Sequence, residues 1–468
     1  MWFGPCAGAR RQGMALSGGD TQGGIGLNSD SSDDRGGVTA YGYFVAGLLS
    51  VVYTCNFLDR QLMSILQESI KAQLHLTDTQ LGLVSGLAFA LVYTVLGIPI
   101  AWLADRAHRV RIIAIACGVW SLASAACGLA VSFPTLALAR LGVGFGEAGG
   151  SPPAYSVLAD YFPARARGVG LAIYALGVPI GTMIGSGAGA WIDKHYGWRT
   201  AFFAVGAPGV LLALLVLILV REPVRGRFDA KAPGETSHAA SLPLGRTIAL
   251  FFSSPVLRLT GLSSGLSAFV GYAMLNWSPS FLIRVKAMDR ADLALYYSLL
   301  VGAAGVFGTF GSGWLVDRFA KHDRRAYALV PMAAFIVSLP FYLLFVWAPT
   351  WPLALTFLAV PALLNNMYLA PAITVVQNAV APNQRGAASA LLLFVLNLIG
   401  LGGGPVFVGK ISDLLAPAHG AASLQLALYA LAPFFLLTIL AHAAAARAIG
   451  RDAALPGKAS FDVVAPAL

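Results

Sequence analysis

Four ionisable side chains, Asp59, Arg60, Arg140 and Glu147, lie inside long apolar runs of this 468-residue chain. Each costs about 2.5–3.5 kcal/mol at the centre of a bilayer, so the set left unpaired would cost roughly 10 kcal/mol. They must therefore pair or face water. Arg140 and Glu147 are seven residues apart, which puts them on one helix face about 10 Å apart in height. Gly144 lies between them and leaves room for a partner or ligand. Asp59 and Arg60 are adjacent and diverge by about 100°. The chemistry on offer is an exchange of charge. Arg60 and Arg140 attract an anion while Asp59 and Glu147 accept protons, and an anion that competes for the arginines changes how readily the carboxylates are protonated. Asn56, Trp277, Asn365, Asn366, Gln377 and Asn397 add polar or amphipathic groups as candidate substrate contacts. A plainer reading ends a short first helix at Asp59-Arg60 and lets Arg140 snorkel to the interface. Glu147, about 20 Å from the outer end of its helix, has no interface to reach.

The elements that hold these groups are membrane helices. Charged residues make up 11% of the chain and apolar ones 57%, against about 25% charged in a soluble domain. Apolar runs long enough to span a bilayer fall near 42–66, 79–103, 110–131, 134–157, 167–191 and 199–220, then near 250–278, 293–316, 326–347, 351–376, 386–410 and 423–446. This predicts an all-α membrane protein of twelve helices in two bundles, 39–221 and 249–448. A breaker-rich linker at 222–248 joins them, and polar cytosolic tails at 1–38 and 449–468 flank them. The leading tail has no signal-peptide pattern, and Met14 is an alternative start. With both termini in the cytosol, 22 Lys and Arg residues fall inside and 7 outside, the bias expected of an N-in, C-in chain. That distribution, in short clusters between apolar runs, explains the net charge of +10 without nucleic acid. Neither the four cysteines nor the seven histidines show metal-ligand spacing, and no cofactor is expected.

The two halves repeat. Ala101-Trp-Leu-Ala-Asp105-Arg106 is matched by Gly313-Trp-Leu-Val-Asp317-Arg318, and Phe162-Pro-Ala-Arg-Ala-Arg167-Gly168 by Ala381-Pro-Asn-Gln-Arg385-Gly386. Repeated halves around a midplane site are a transporter signature. Asp105-Arg106-Ala-His-Arg109 resembles the major facilitator loop motif Gly-x-x-x-Asp-Arg-x-Gly-Arg, departing from it at Ala101 and His108. Arg140-Leu-Gly-Val-Gly144 and Gly177-Val-Pro179-Ile-Gly181 are similar to two further motifs of that superfamily. Asn56-Phe-Leu-Asp59-Arg60, with Arg140 and Glu147-Ala-Gly-Gly-Ser-Pro-Pro, resembles the spinster branch. That resemblance, over roughly 40–447, implies export or exchange of lysophospholipids or phosphorylated sphingoid bases, with proton coupling. It also implies a gate in which Asp105 faces the start of the eleventh helix near Arg385. Asp317 would likewise face the fifth near Arg165 and Arg167, with Arg106, Arg109 and Arg318 beside them.

Gly177, Gly181, Gly185 and Gly189 form a four-residue stripe suited to close helix contact, either for static packing or at a moving interface. Gly144-Phe-Gly146-Glu-Ala-Gly149 and Gly261-Leu-Ser263-Ser-Gly265 match a dinucleotide and a hydrolase motif, but no strand precedes either. No Gly-x-x-x-x-Gly-Lys-Ser/Thr loop supplies ATP energy. The expectation is a monomeric secondary transporter of a bacterial cytoplasmic membrane, working by alternating access among membrane lipids. Its substrate would be an amphipathic or lipid-like anion coupled to protons. A symporter of small organic anions such as sugar acids is the alternative, and a membrane-embedded lipid enzyme, for which no catalytic dyad is visible, is the weaker one.

Overall fold

The structure is a computed structural model that describes residues 38–104, 106–228, 244–380 and 384–453. The N-terminal tail with Met14, most of the linker, the end of the C-terminal tail and Asp105 lie outside the described residues. All regular structure among the described residues is helical. We number the rods in chain order and count segments on either side of a kink as one. In the first half α1 is Ala40–Ile65, α2 is 78–104, α3 is Arg109–Gly128, α4 is 133–161, α5 is Arg167–Tyr196 and α6 is Trp198–Leu219. In the second α7 is Pro255–Arg284, α8 is Arg290–Ala320, α9 is Ala326–Trp347, α10 is Trp351–Asn378, α11 is 385–419 and α12 is 423–453. A short helix, Leu244–Ser253, precedes α7. Among the described residues, nine helical stretches are apolar and long enough to cross a membrane, the last of which, Arg385–Arg451, runs through both α11 and α12.

Local chemistry sets several of these boundaries. Thr77 caps α2 by accepting from Gln80 N–H while the Gln80 side chain accepts from Thr77 N–H, a reciprocal arrangement that satisfies two orphan donors. Pro255 opens α7, where its missing N–H costs nothing. Gly197, at φ +81°, turns the chain from α5 into α6. α2, α8 and α11 each contain a π-helical turn, Leu83–Leu87, Leu293–Tyr297 and Asn397–Leu401. Such turns concentrate at functional positions, and the first two occupy matching places in the repeat.

Within the first half, α1 packs on α5, α3 on α6, and α4 on α2 and α3. Within the second, α7 packs on α11 and α12, and α9 on α10 and α12. The halves meet through α1–α7, α2–α11 and α5–α8. The glycine stripe faces α1, inside its own half. A Cβ at Gly185 would lie 2.7 Å from Leu58 O, and one at Gly177 2.7 Å from Ser50 O. Static packing is therefore its role, and the α5 glycine that meets α8 is Gly187, beside Ala294 O. Gly185→Val should force α1 from α5 at a cost of about 1–3 kcal/mol or more. A lower melting temperature in detergent is expected, with Gly47→Ala, where a Cβ meets nothing within 4 Å, unaffected. Equal melting of the two variants would contradict this packing.

Candidate substrate and coupling site

The four buried charges meet between α1 and α4 and pair crosswise. Arg140 Nη1 donates to Asp59 Oδ2 at 3.1 Å, and Arg60 Nε donates to Glu147 Oε2 at 2.7 Å. The divergence of Asp59 from Arg60 lets one helix present an acid and a base to two heights of another, giving two stacked ion pairs. Helix α1 continues to Ile65, so Asp59-Arg60 does not end it. Arg140 is buried rather than snorkelling. Ser124 of α3 donates to the second Asp59 oxygen. The room beside Gly144 is taken by α2, where Phe89 O would lie 3.1 Å from an added Cβ. Glu147 Oε1 and Arg140 Nε have no protein partner, so the ladder is not saturated.

Arg60 differs from its three neighbours. Its side chain is 17% exposed, whereas that of Glu147 is fully buried and those of Asp59 and Arg140 are 1% exposed. The guanidinium lies 5.0 Å from the Phe57 ring, 4.7 Å from Phe89 and 5.0 Å from Tyr93, an arrangement that holds a cation by ring quadrupoles. Tyr53, stacked on Tyr174 at 4.3 Å, and Tyr272 of α7 stand within electrostatic reach. Arg60 thus keeps part of its surface open while held by first-half groups, with Tyr272 of the second half within electrostatic reach.

The remaining candidates are scattered. Asn56 is buried in α1. Trp277 is fully buried and donates to Pro405 O at 2.9 Å. Asn365, buried at the break in α10, donates to Met274 Sδ, and its Oδ1 lacks a protein partner. Asn366 is exposed and donates to Ala362 O. Gln377 donates to Ser389 Oγ at 3.5 Å, and Asn397 is half-buried at the first residue of the α11 π-turn. Among the gating candidates, Arg109 is buried, donating to Asp160 and Ser156 Oγ of its own half and to Glu222 at the start of the linker. Arg167 donates to Ala159 O and Arg385 to Gln377 O. Arg106, Asp317 and Arg318 are exposed.

A further set of charges, absent from the sequence reading, joins the two halves at the face that carries the 66–77 and 285–289 connections. Arg284 of α7 donates to both Glu68 and Asp78. Asp413 of α11 accepts from Asp78 N at 2.9 Å and Thr79 N at 2.7 Å, a carboxylate seated on the positive start of α2. Ser412 donates to Asp78 Oδ2. On the α5–α8 side, Asp193 accepts from Arg290 at 2.9 Å, and Lys194 pairs with Asp289 at 2.6 Å. Beneath these, Asn276 Oδ1 accepts from Gln67 and Ser85. A signal for them existed. Gly189-Ala-Trp-Ile-Asp193 and Gly409-Lys-Ile-Ser-Asp413 repeat at nearly the offset of the other matched pairs. Each acid reaches the start of the other half's α8 or α2. The Lys194 hydrogen bond, then the Ala291 N–H, hold the exposed Asp289 carboxyl below its usual range. Its contribution to this seal is present above the ordinary carboxylate range and is lost as pH falls through the lowered value.

Apolar helices joined across the repeat at three pairs, ion pairs closing one face, and a buried charge ladder between α1 and α4 are the features of a membrane transporter. The family model for the Major Facilitator Superfamily matches residues 49–405, and the chain belongs to that superfamily. It is spinster-like within it. The chain is 29% identical to the crystal structure of a bacterial homologue of the human lysosomal transporter Spinster, in an inward-facing and unoccupied conformation. That match has a TM-score of 0.81 and covers 90% of this chain and 100% of the other. The chain is also 27% identical to human protein spinster homolog 1, over 79% of this chain and 73% of that one. An MFS-type efflux pump of Mycolicibacterium smegmatis is 35% identical, over 86% and 91%. With these bacterial relatives, the apolar helices make it an integral transporter of the cytoplasmic membrane.

Proposed function

We propose that this protein is a proton-coupled secondary transporter of an amphipathic anion of the lysophospholipid or phosphorylated sphingoid class, working by alternating access. The observation that carries this reading is the partly exposed Arg60, whose Glu147 partner keeps one carboxylate oxygen unpaired. An anionic headgroup that draws Arg60 from Glu147 leaves a buried carboxylate uncompensated, and a proton then restores neutrality. Proton and anion in this way strengthen each other's binding. In this reading the N-in, C-in topology puts the sealed face outside, and two six-helix bundles, 39–221 and 249–448, rock about the ladder. Asp105 and Asp317 would latch the opposite face in the alternate state.

Uptake of headgroup-labelled lysophospholipids and of sugar acids into proteoliposomes tests the substrate class. Saturable flux of the lysolipid with none of the sugar acid is expected, and the reverse would favour the small-anion symporter. The topology predicts cytosolic signals from reporters fused after Asp229 and at the C-terminus, and an external signal from one at Asp78. An external C-terminus would overturn the twelve-crossing count.

A further inference from the structure

Thr260, Ser263, Ser264 and Ser267 occupy one face of α7 at i, i+3, i+4 and i+7 spacing, and all four are buried. The stripe ends on His442 of α12, which is 3% exposed and whose Nε2 lies 2.9 Å from Ser267 Oγ. Phe335 of α9 stacks on the ring at 6.1 Å. Ser267 Oγ donates its own hydrogen to Ser263 O at 2.8 Å, so toward the ring it only accepts. Nε2 therefore carries the imidazole hydrogen, and Nδ1 is the basic nitrogen.

Small residues at a helix contact would explain the stripe as packing alone. Two observations go further. Ser264 Oγ and Thr260 Oγ1 are buried without a protein partner, and buried polar atoms left so by the protein are ordinarily met by ordered water. The stripe also leads to a titratable group rather than to another hydroxyl. The charged and titratable groups of the packed helices are engaged elsewhere. Arg284 is in the seal, Tyr272 is near Arg60, Tyr342 donates to Leu428 O and Tyr327 faces Asp317 and Arg324. Arg258, Arg447 and Arg451 form no described bond to the ring.

We propose that the α7 stripe is a water-bearing proton path to His442, a second protonation site in the C-terminal half separate from Asp59 and Glu147. The Nδ1 lone pair takes a proton from water held by Ser264, the ring becomes an imidazolium, and the stripe is replenished from its Thr260 end. The proton leaves by the same route. An imidazolium here has no counter-ion on α7 or α9, so charging it favours an arrangement in which α7 and α12 part and admit more water. Protonation of His442 thereby biases the packing of the second half.

Nitrogen-15 histidine NMR of the full chain in lipid nanodiscs tests this. His442→Gln removes one of seven histidine signals and so assigns it; Ser267→Ala, which shifts the Nε2 resonance, serves if that variant does not fold. Expected is an Nε2–H tautomer that gains a proton at Nδ1 as the buffer is taken from about pH 8 down to about 3. Exchange with water should slow several-fold in the Thr260→Val, Ser264→Ala double variant. A single tautomer with no titration across that range, or exchange unchanged in the double variant, would overturn the proposal. Neither readout involves substrate flux, so the coupling role of Glu147 stands or falls separately.

Discussion

Arg140→Gln should lower stability far more than the double substitution Asp59→Asn, Arg140→Gln. The single change leaves Asp59, 1% exposed, with Ser124 as its remaining partner among the described residues. Removing one member of a buried ion pair costs about 3–5 kcal/mol, because the other charge stays desolvated and uncompensated. Neutralising both removes that penalty and leaves two amide-bearing side chains able to hydrogen-bond. Thermal melting in one detergent, read as a double-mutant cycle, should show the double variant more stable than Arg140→Gln alone. Additive losses would mean that the two groups are not coupled. Neither variant should transport, since the Arg140–Asp59 pair positions α4 and with it Glu147.

The second large effect lies in the seal. Arg284 is 13% exposed and holds both Glu68 and Asp78, and Lys71 can replace it only for Asp78. Arg284→Gln leaves the partly buried Glu68 unpaired, and Asp78 with only Lys71 and Ser412, in the sealed state but not in a state where the halves part and water enters. A differential cost of about 3 kcal/mol shifts the balance of the two states on the order of a hundredfold. Spin labels at Ala72 and Ala418, on the sealed face of each half, should report one short distance in the parent and a longer, broader distribution in Arg284→Gln. An unchanged distribution would show that these ion pairs do not hold the face closed.

Much of this was legible in the sequence, for a physical reason in each case. A bilayer admits few backbone arrangements, so apolar runs located the helices. The cost of intramembrane charge singled out Asp59, Arg60, Arg140 and Glu147 before any geometry was known. Which acid met which base depended on how α1 docks on α4, and adjacent residues on one helix gave no preference between the two pairings. The seal was hidden differently. Arg284, Lys194 and Arg290 are among the seven basic residues that the charge bias places outside, where loop charges at a membrane surface are usually solvated. The acids opposite them, Glu68, Asp78, Asp193 and Asp289, were not paired with them. Ser280 and Arg284 also hid the end of the seventh helix, because polar groups buried in an interface resemble a helix end. Trp277 offered itself as an amphipathic substrate contact, and Asn276 lies beside it in α7. Both are held against the other elements of the seal, through Pro405 O and through Gln67 and Ser85.

The central claim is that the α1–α4 ladder exchanges a proton for an anion's hold on Arg60. Lysophospholipid flux into proteoliposomes, measured against pH for the parent and for Glu147→Gln, tests it most directly. The account predicts that the parent's flux varies with pH and that Glu147→Gln, still folded and still binding substrate through Arg60, transports with a flattened profile. A Glu147→Gln variant that keeps the parent's full pH dependence would make Glu147 a structural charge and contradict the mechanism.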